Sequence, residues 1–452
     1  MNKEVSPELG KWFAACEPRP LDVNDESDAA LYVPFDDASW TDGGSDGSPF
    51  PLRGHHIVED LINEIALHQN RPSPESAQLF AGFRGTGKST ELSRVAKALG
   101  DDYAVLRFKA DSYHHMSDAL SVEELALVLA AGIGEQAGEK LGIELLDKKS
   151  VWERISDFLK QEVEVKKLRL AFGEVELKGR LKQGGKFKDE LQELLTDRPD
   201  TLKHFLHNFV TKISSNISPR QLVVLVDGLD KFTAPVERAG DVYRAMSDVF
   251  FHNAEMLALP GCHTIYTIPP YLAFINPGIA EKFGGRLHVL PSVRVHDRPP
   301  KCVSFYRPGV RAMEAVLDRR VVLDRLFGEE REACVARLVS ASGGQTRDLC
   351  FLVQEVIRIA HKRGLPVGEA EVRRAVSIQE QSRGTLFRED LEILSTVHQT
   401  GRLESLSKTQ LGSLAGAMDQ QLVLCYCNGE PWYDVHPLIW NRLPQSRPSK
   451  GA

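Results

Sequence analysis

The segment Gly82-Phe83-Arg84-Gly85-Thr86-Gly87-Lys88-Ser89 satisfies G-x-x-x-x-G-K-[ST], and it constrains the fold more than any other stretch of the chain. Gln78 to Ala81 reads as a short strand before it, and Ser89 to Leu99 has helical periodicity after it. This pattern needs a strand that ends in a tight loop opening a helix. Glycine lets successive backbone N–H groups curve around an anion, and the helix N-terminus adds its positive end. Gly82, Gly85, Thr86, Gly87, Lys88, Ser89 and Thr90 are therefore the expected cradle for the phosphates of a nucleotide. Lys88 neutralises the β- and γ-phosphates, and Ser89 is an expected Mg²⁺ ligand. A nucleotide and Mg²⁺ are the implied cofactors.

A phosphate loop of this kind works with an acid at the end of a buried strand. Leu222 to Val226 is five consecutive apolar residues, the mark of a strand covered on both faces, and Asp227 follows directly. Burying a carboxylate without a partner is costly, so Asp227 is expected to hold the magnesium ion through its water shell. Asp230, three residues on, is placed to orient or deprotonate an attacking water; a helix N-terminal acid is the plainer alternative. Ala104–Phe108, Thr264–Ile268 and Leu287–Leu290 are further strands, Ile57–His68 and Ser117–Gly142 further helices. Strands alternating with helices imply a parallel sheet.

Charge is unevenly spread. The chain has 452 residues and a formal net charge of −7, yet residues 1–50 alone hold eleven acidic and three basic side chains. The first 50 residues thus read as an acidic arm, with Thr41–Pro51 as a Gly/Ser/Asp/Pro linker. Trp12, Phe13, Leu31, Tyr32 and Trp40 predict that this arm docks on the body of the protein. Residues 51–300 form the expected nucleotide-binding domain, with an insertion at about 160–190. Val163–Leu181 alternates around Phe172-Gly173 and predicts a β-hairpin with mixed surface charge. No apolar run reaches the ~18 residues of a membrane span. The N-terminus lacks a secretory h-region. The seven cysteines are scattered, so a reduced cytoplasm is expected.

Beyond residue 300 the pattern is helical. Arg331–Ser340 and Arg347–Arg363 flank Ser342-Gly343-Gly344, and Val367–Ala375 follows, so residues 301–380 read as a helical lid. Residues 385–445 predict helices at 389–398 and 408–418, then a hairpin turning at Asn428-Gly429, the order of a winged helix. This last module carries seven acidic and four basic residues, a poor composition for binding a phosphate backbone.

GFRGTGKST, LVVLVDGLDK and SGGQTRDL together resemble the AAA+-related ATPases of the STAND and origin-recognition type, over about residues 51–445. The resemblance implies an α/β P-loop NTPase with a parallel AAA+-like sheet, a helical lid and a C-terminal winged helix. It places Arg53 and Gly54 at the adenine pocket. It makes Thr267 a polar sensor of the γ-phosphate or lytic water, and Arg347 a second sensor from the lid. It sets His436 near the β-phosphate of bound ADP, with a structural His-Pro turn as the alternative. Arg286 is the candidate arginine finger. One departure stands out: Gly228, not an acid, follows Asp227, which leaves Asp230 to act. His55-His56 lacks a third metal ligand and reads as surface or adenine-pocket. The implied function is an ATP-binding, ATP-hydrolysing switch, with catalytic Lys88, Asp230, Thr267 and Arg347. It would control an effector or sensor protein in trans, in the manner of bacterial antiphage systems. Homo-oligomerisation and nucleic-acid contact stay open. A DNA-loading or transposition-type ATPase and a non-hydrolysing scaffold subunit are the alternatives.

Overall fold

The computed structural model describes residues 6–41, 51–69, 75–115, 119–142, 150–162, 174–183, 199–232, 239–298, 304–403, 406–407 and 410–444. The chain forms two compact units: residues 57–82 with 94–289, and residues 1–56 with 83–93 and 290–452.

The first of these is built on a five-stranded sheet. Its strands are β1 (Ser76–Gly82), β2 (Tyr103–Lys109), β3 (Gln221–Asp227), β4 (Cys262–Ile268) and β5 (Leu287–Leu290), in the order β2-β3-β4-β1-β5. The pairs β1/β4, β2/β3 and β3/β4 are parallel, with Val224 opposite both Leu106 and Thr264. Leu222 to Val226 are wholly buried, as their unbroken apolar run requires. The helix Val122–Leu141 packs on β2 and Pro199–Ile217 on β3. Ser121 starts the former with a capping box, exchanging hydrogen bonds with Glu124.

The insertion corrects one expectation. Glu174–Gln183 is a helix, not the second arm of a hairpin, and residues 163–173 lie outside the described residues. The alternation Val175, Leu177, Leu181 also fits a helical face, because Leu177 and Leu181 are four apart and both are buried. Glu, Lys, Arg and Leu dominate the segment and favour that reading.

The other unit has a helical core. The helices Arg307–Asp318, Arg331–Ser342, Thr346–Arg363 and Glu369–Ser382 share one apolar cluster. Leu9, Trp12, Cys16, Val33 and Phe35 of the acidic arm belong to the same cluster, so the arm docks through its apolar residues. Polar ties fasten it further: Gln354 Nε2 donates to Phe13 O (3.2 Å) and Arg320 Nη1 to Leu31 O (2.9 Å). The helices Arg388–Thr400 and Leu411–Asp419 precede the antiparallel hairpin of β6 (Val423–Cys427) and β7 (Pro431–Val435), which is a winged helix. Among the described residues no helix is long and apolar enough to cross a membrane.

Candidate functional site

The phosphate loop leaves β1 after Gly82 and enters its helix at Lys88. Gly85 (φ +84°) and Gly87 (φ +100°) take the left-handed backbone that bends it. The Phe83 carbonyl gathers the loop: it accepts from Thr86 N (3.3 Å), Thr86 Oγ1 (2.8 Å) and Lys88 Nζ (2.9 Å). Thr90 N and Glu91 N both reach Gly87 O at 2.9 Å, closing the first helical turn. Lys88 is buried, whereas a Cβ on Gly87 would meet nothing within 4 Å. The loop therefore offers open space on the Gly87 side.

Four distant segments converge on this loop within the same compact unit. Arg53 is buried, and its Nη2 donates to Thr86 O at 2.7 Å while Nη1 pairs with Glu91 at 3.3 Å. Its guanidinium also lies 4.6 Å from the ring centre of Phe35 in the arm. The arm adds Leu21 N to Thr90 Oγ1 (3.0 Å) and Val23 N to Ser93 Oγ (3.2 Å). From the winged helix, Gln421 Nε2 donates to Arg84 O (2.8 Å), and Asp419 stands 3.5 Å from the Arg84 guanidinium. Gln421 holds φ +59°, strained backbone for a non-glycine residue. From the lid, Arg347 packs so tightly on Gly85 that an added Cβ would lie 2.8 Å from its own. Arg347 is otherwise exposed, with its guanidinium 5.6 Å from the ring centre of Phe351.

The expectations for Arg53 and His436 meet different partners from those the resemblance implies. Arg53 commits its guanidinium to the loop backbone and Glu91, which makes it a brace of the phosphate loop. Gly54 (φ +75°) lies against Cys427 of the wing, and His55 Nε2 is 3.4 Å from the Cys427 sulfur. His436 is fully buried with both ring nitrogens engaged, Nδ1 by Leu438 N (3.2 Å) and Nε2 by Asp348 (2.8 Å). Arg383 completes this buried cluster at 2.6 Å from Asp348. Neither nitrogen is left for a phosphate. Burial disfavours the charged form of Asp348, but the His436 hydrogen bond and the Arg383 charge hold its pKa down to about 2. Burial also lowers the pKa of His436, partly countered by its bond to Asp348.

The acidic residues belong to the sheet-based unit. Asp227 ends β3, is almost fully buried, and has Arg107 Nη2 at 3.4 Å. Asp230 is buried in the short 3₁₀ turn Leu229–Lys231. Gly228 between them has φ +90°, and a Cβ there would lie 3.0 Å from Asp111 Oδ1, so neither conformation nor space favours a second acid at this position. Lys231 pairs with Asp111 at 2.7 Å. Thr267 is buried on β4 and donates its hydroxyl to Val226 O (3.2 Å). Arg286 is half exposed and pairs with Glu64 at 2.9 Å. His55 and His56 are exposed, and among the described residues no group of three His, Cys, Asp or Glu could hold a metal ion.

Sequence reading missed Glu91, Asp111, Gln345, Asp348, Arg383 and Gln421. Gln345 and Asp348 sit inside SGGQTRDL and were within reach of that motif. The others are joined to the site by contacts remote in sequence, which no local pattern carries.

The sheet order, the phosphate loop after β1, the helical lid and the winged helix define a P-loop fold of the AAA+ type. Solved structures that resemble the chain include Cdc6p from Pyrobaculum aerophilum (12% identity, 89% of this chain and 95% of that one, TM-score 0.37). They also include Drosophila ORC bound to DNA (13%, 96% and 90%, 0.38) and a Walker-type ATPase of Pyrococcus abyssi (11%, 94% and 98%, 0.39). No protein-family model matches the sequence, and no curated protein does.

Proposed function

We propose that this protein is an ATP-binding switch of the AAA+ type that hydrolyses ATP and passes its nucleotide state to a partner protein. One observation carries the reading: arm, lid and winged helix all make direct contact with the phosphate loop. A bound polyphosphate that rearranges Arg84 to Thr90 therefore acts on four other segments at once, through Gln421, Arg347, Arg53 and Leu21.

The residues present fit the nucleotide and its ion. The open space at Gly87 and the buried Lys88 suit an anion at a helix N-terminus. The Ser89 hydroxyl and the Asp227 carboxylate are oxygen ligands of the type magnesium takes, together with water and phosphate. The ion would supply charge neutralisation on the phosphate chain. In this reading Lys88 binds the phosphates, Asp230 accepts a proton from the attacking water, Thr267 orients that water, and Arg347 reaches the γ-phosphate from the lid. Arg53 supports the loop from behind, and Gly54 stands beside it at the expected adenine side.

Equilibrium binding of a fluorescent ATP analogue tests this. Wild type is expected to bind in a magnesium-dependent way and Lys88→Ala to lose at least tenfold in affinity. Equal binding by the two proteins would sink the proposal.

A further inference from the structure

The lid turn that carries Arg347 also holds a side chain with unmet polar capacity. Gln345 is fully buried, yet neither Oε1 nor Nε2 has a hydrogen-bond partner among the described residues. Its backbone is fixed, with N donating to Ser342 O (3.1 Å) and O accepting from Leu349 N (3.0 Å), so the residue caps the helix Thr346–Arg363. The side chain is thereby aimed at the phosphate loop: Oε1 lies 3.3 Å from the position of a Cβ on Gly85.

Buried polar groups in folded proteins are nearly always paired, and an unpaired one is expensive. Leucine or methionine would fill the same volume without that cost. A carboxamide here lies against the phosphate loop, where a bound phosphate oxygen would complete its hydrogen bonds. Rotation about the Cγ–Cδ bond exchanges Oε1 and Nε2, so the same side chain can turn a donor toward a phosphate oxygen.

We infer that Gln345 is a nucleotide contact supplied by the lid, its carboxamide completing its hydrogen bonds only when a nucleoside di- or triphosphate fills the loop. This rests on the ATP-binding reading above. It gives the lid two readers of the loop on one turn, Gln345 from within and Arg347 from the exposed side. It also couples the loop to the wing, because Gly343 of the same turn accepts from Tyr426 Oη at 2.8 Å.

The test is Gln345→Leu, with Gln345→Met as a second variant, in the full-length chain. Thermal midpoints are measured without nucleotide and with MgATP or MgADP, alongside affinity for a fluorescent ATP analogue. The expected result is a nucleotide-free midpoint equal to or above wild type, with ATP affinity down by about 10- to 100-fold, the range for one lost hydrogen bond to a charged group. A lowered nucleotide-free midpoint with unchanged affinity would assign Gln345 a structural role and overturn the inference. Affinity equal to wild type in a well-folded variant would also overturn it, while leaving ATP binding by the wild type intact. If neither variant folds, the carboxamide already serves the nucleotide-free protein, and the inference fails. No nucleotide binding by wild type would overturn the underlying reading and this inference with it.

Discussion

Arg53→Met gives the most informative perturbation of the phosphate loop outside the loop itself. Methionine keeps most of the buried stem and removes only the guanidinium. Three interactions go together: the 2.7 Å bond to Thr86 O, the 3.3 Å pair with Glu91, and the contact over Phe35. Glu91 stays buried, with Tyr32 Oη at 3.3 Å as a remaining neutral donor. Breaking a buried ion pair from one side costs about 3–5 kcal/mol, chiefly because the other charge is left behind. The hydroxyl offsets part of this, so about 3 kcal/mol is expected for Arg53→Met. Adding Glu91→Met removes the carboxylate as well. The double variant should therefore be less destabilised than the sum of the singles, with a coupling of about 1–3 kcal/mol. Urea unfolding of wild type, both single variants and the double variant measures the cycle. A cost below about 1 kcal/mol for Arg53→Met, or an additive cycle, would refute the claim that Arg53 braces the loop.

Other consequences follow from single sites. Gly85→Ala forces alanine into left-handed backbone, at about 1–2 kcal/mol, and drives its Cβ to 2.8 Å from that of Arg347; a lowered urea midpoint with weakened ATP binding is expected, and an unchanged midpoint would contradict the packing. Arg383→Met removes the guanidinium from buried Asp348, leaving His436 as its remaining side-chain partner among the described residues, and should cost about 3 kcal/mol at pH 7, read by the same urea titration. His263 bridges Ser76 and Gln221 within the sheet, and burial lowers its pKa from 6.5 to about 4. The unfolded chain therefore binds the proton first, so the stability His263 lends is complete above pH 6.5 and is lost as pH falls toward 4. The interval from 6.5 to about 4 corresponds to about 3 kcal/mol, and His263→Gln should flatten the stability profile across it.

Local patterns carried much of this molecule. Gly85, Gly87 and Lys88 stand in a loop whose chemistry and conformation are both written in adjacent residues. The apolar run ending at Asp227 needs a buried strand whatever surrounds it. Asn428-Gly429 marked the wing turn, and Gly343-Gly344 the break between lid helices. Where two periods fit the same letters, tertiary burial decided: Glu174–Gln183 alternates like a strand, yet Leu177 and Leu181 pack as one helical face. The roles of Arg53 and His436 were illegible for another reason. The resemblance implied a nucleotide role for each, but their partners, Thr86 and Glu91 for one and Asp348 for the other, lie 33 to 88 residues away in sequence. The acidic arm showed its charge in the sequence and hid its helices. Its docking was foreshadowed only by Trp12 and its other aromatic residues.

The measurement that bears most directly on the switch is phosphate release from MgATP by purified wild type, Lys88→Ala and Asp230→Ala, with bound nucleotide quantified in each. The account predicts binding and release by wild type, loss of both in Lys88→Ala, and retained binding without release in Asp230→Ala. Binding by Lys88→Ala equal to that of wild type, or release undiminished in Asp230→Ala, would contradict it.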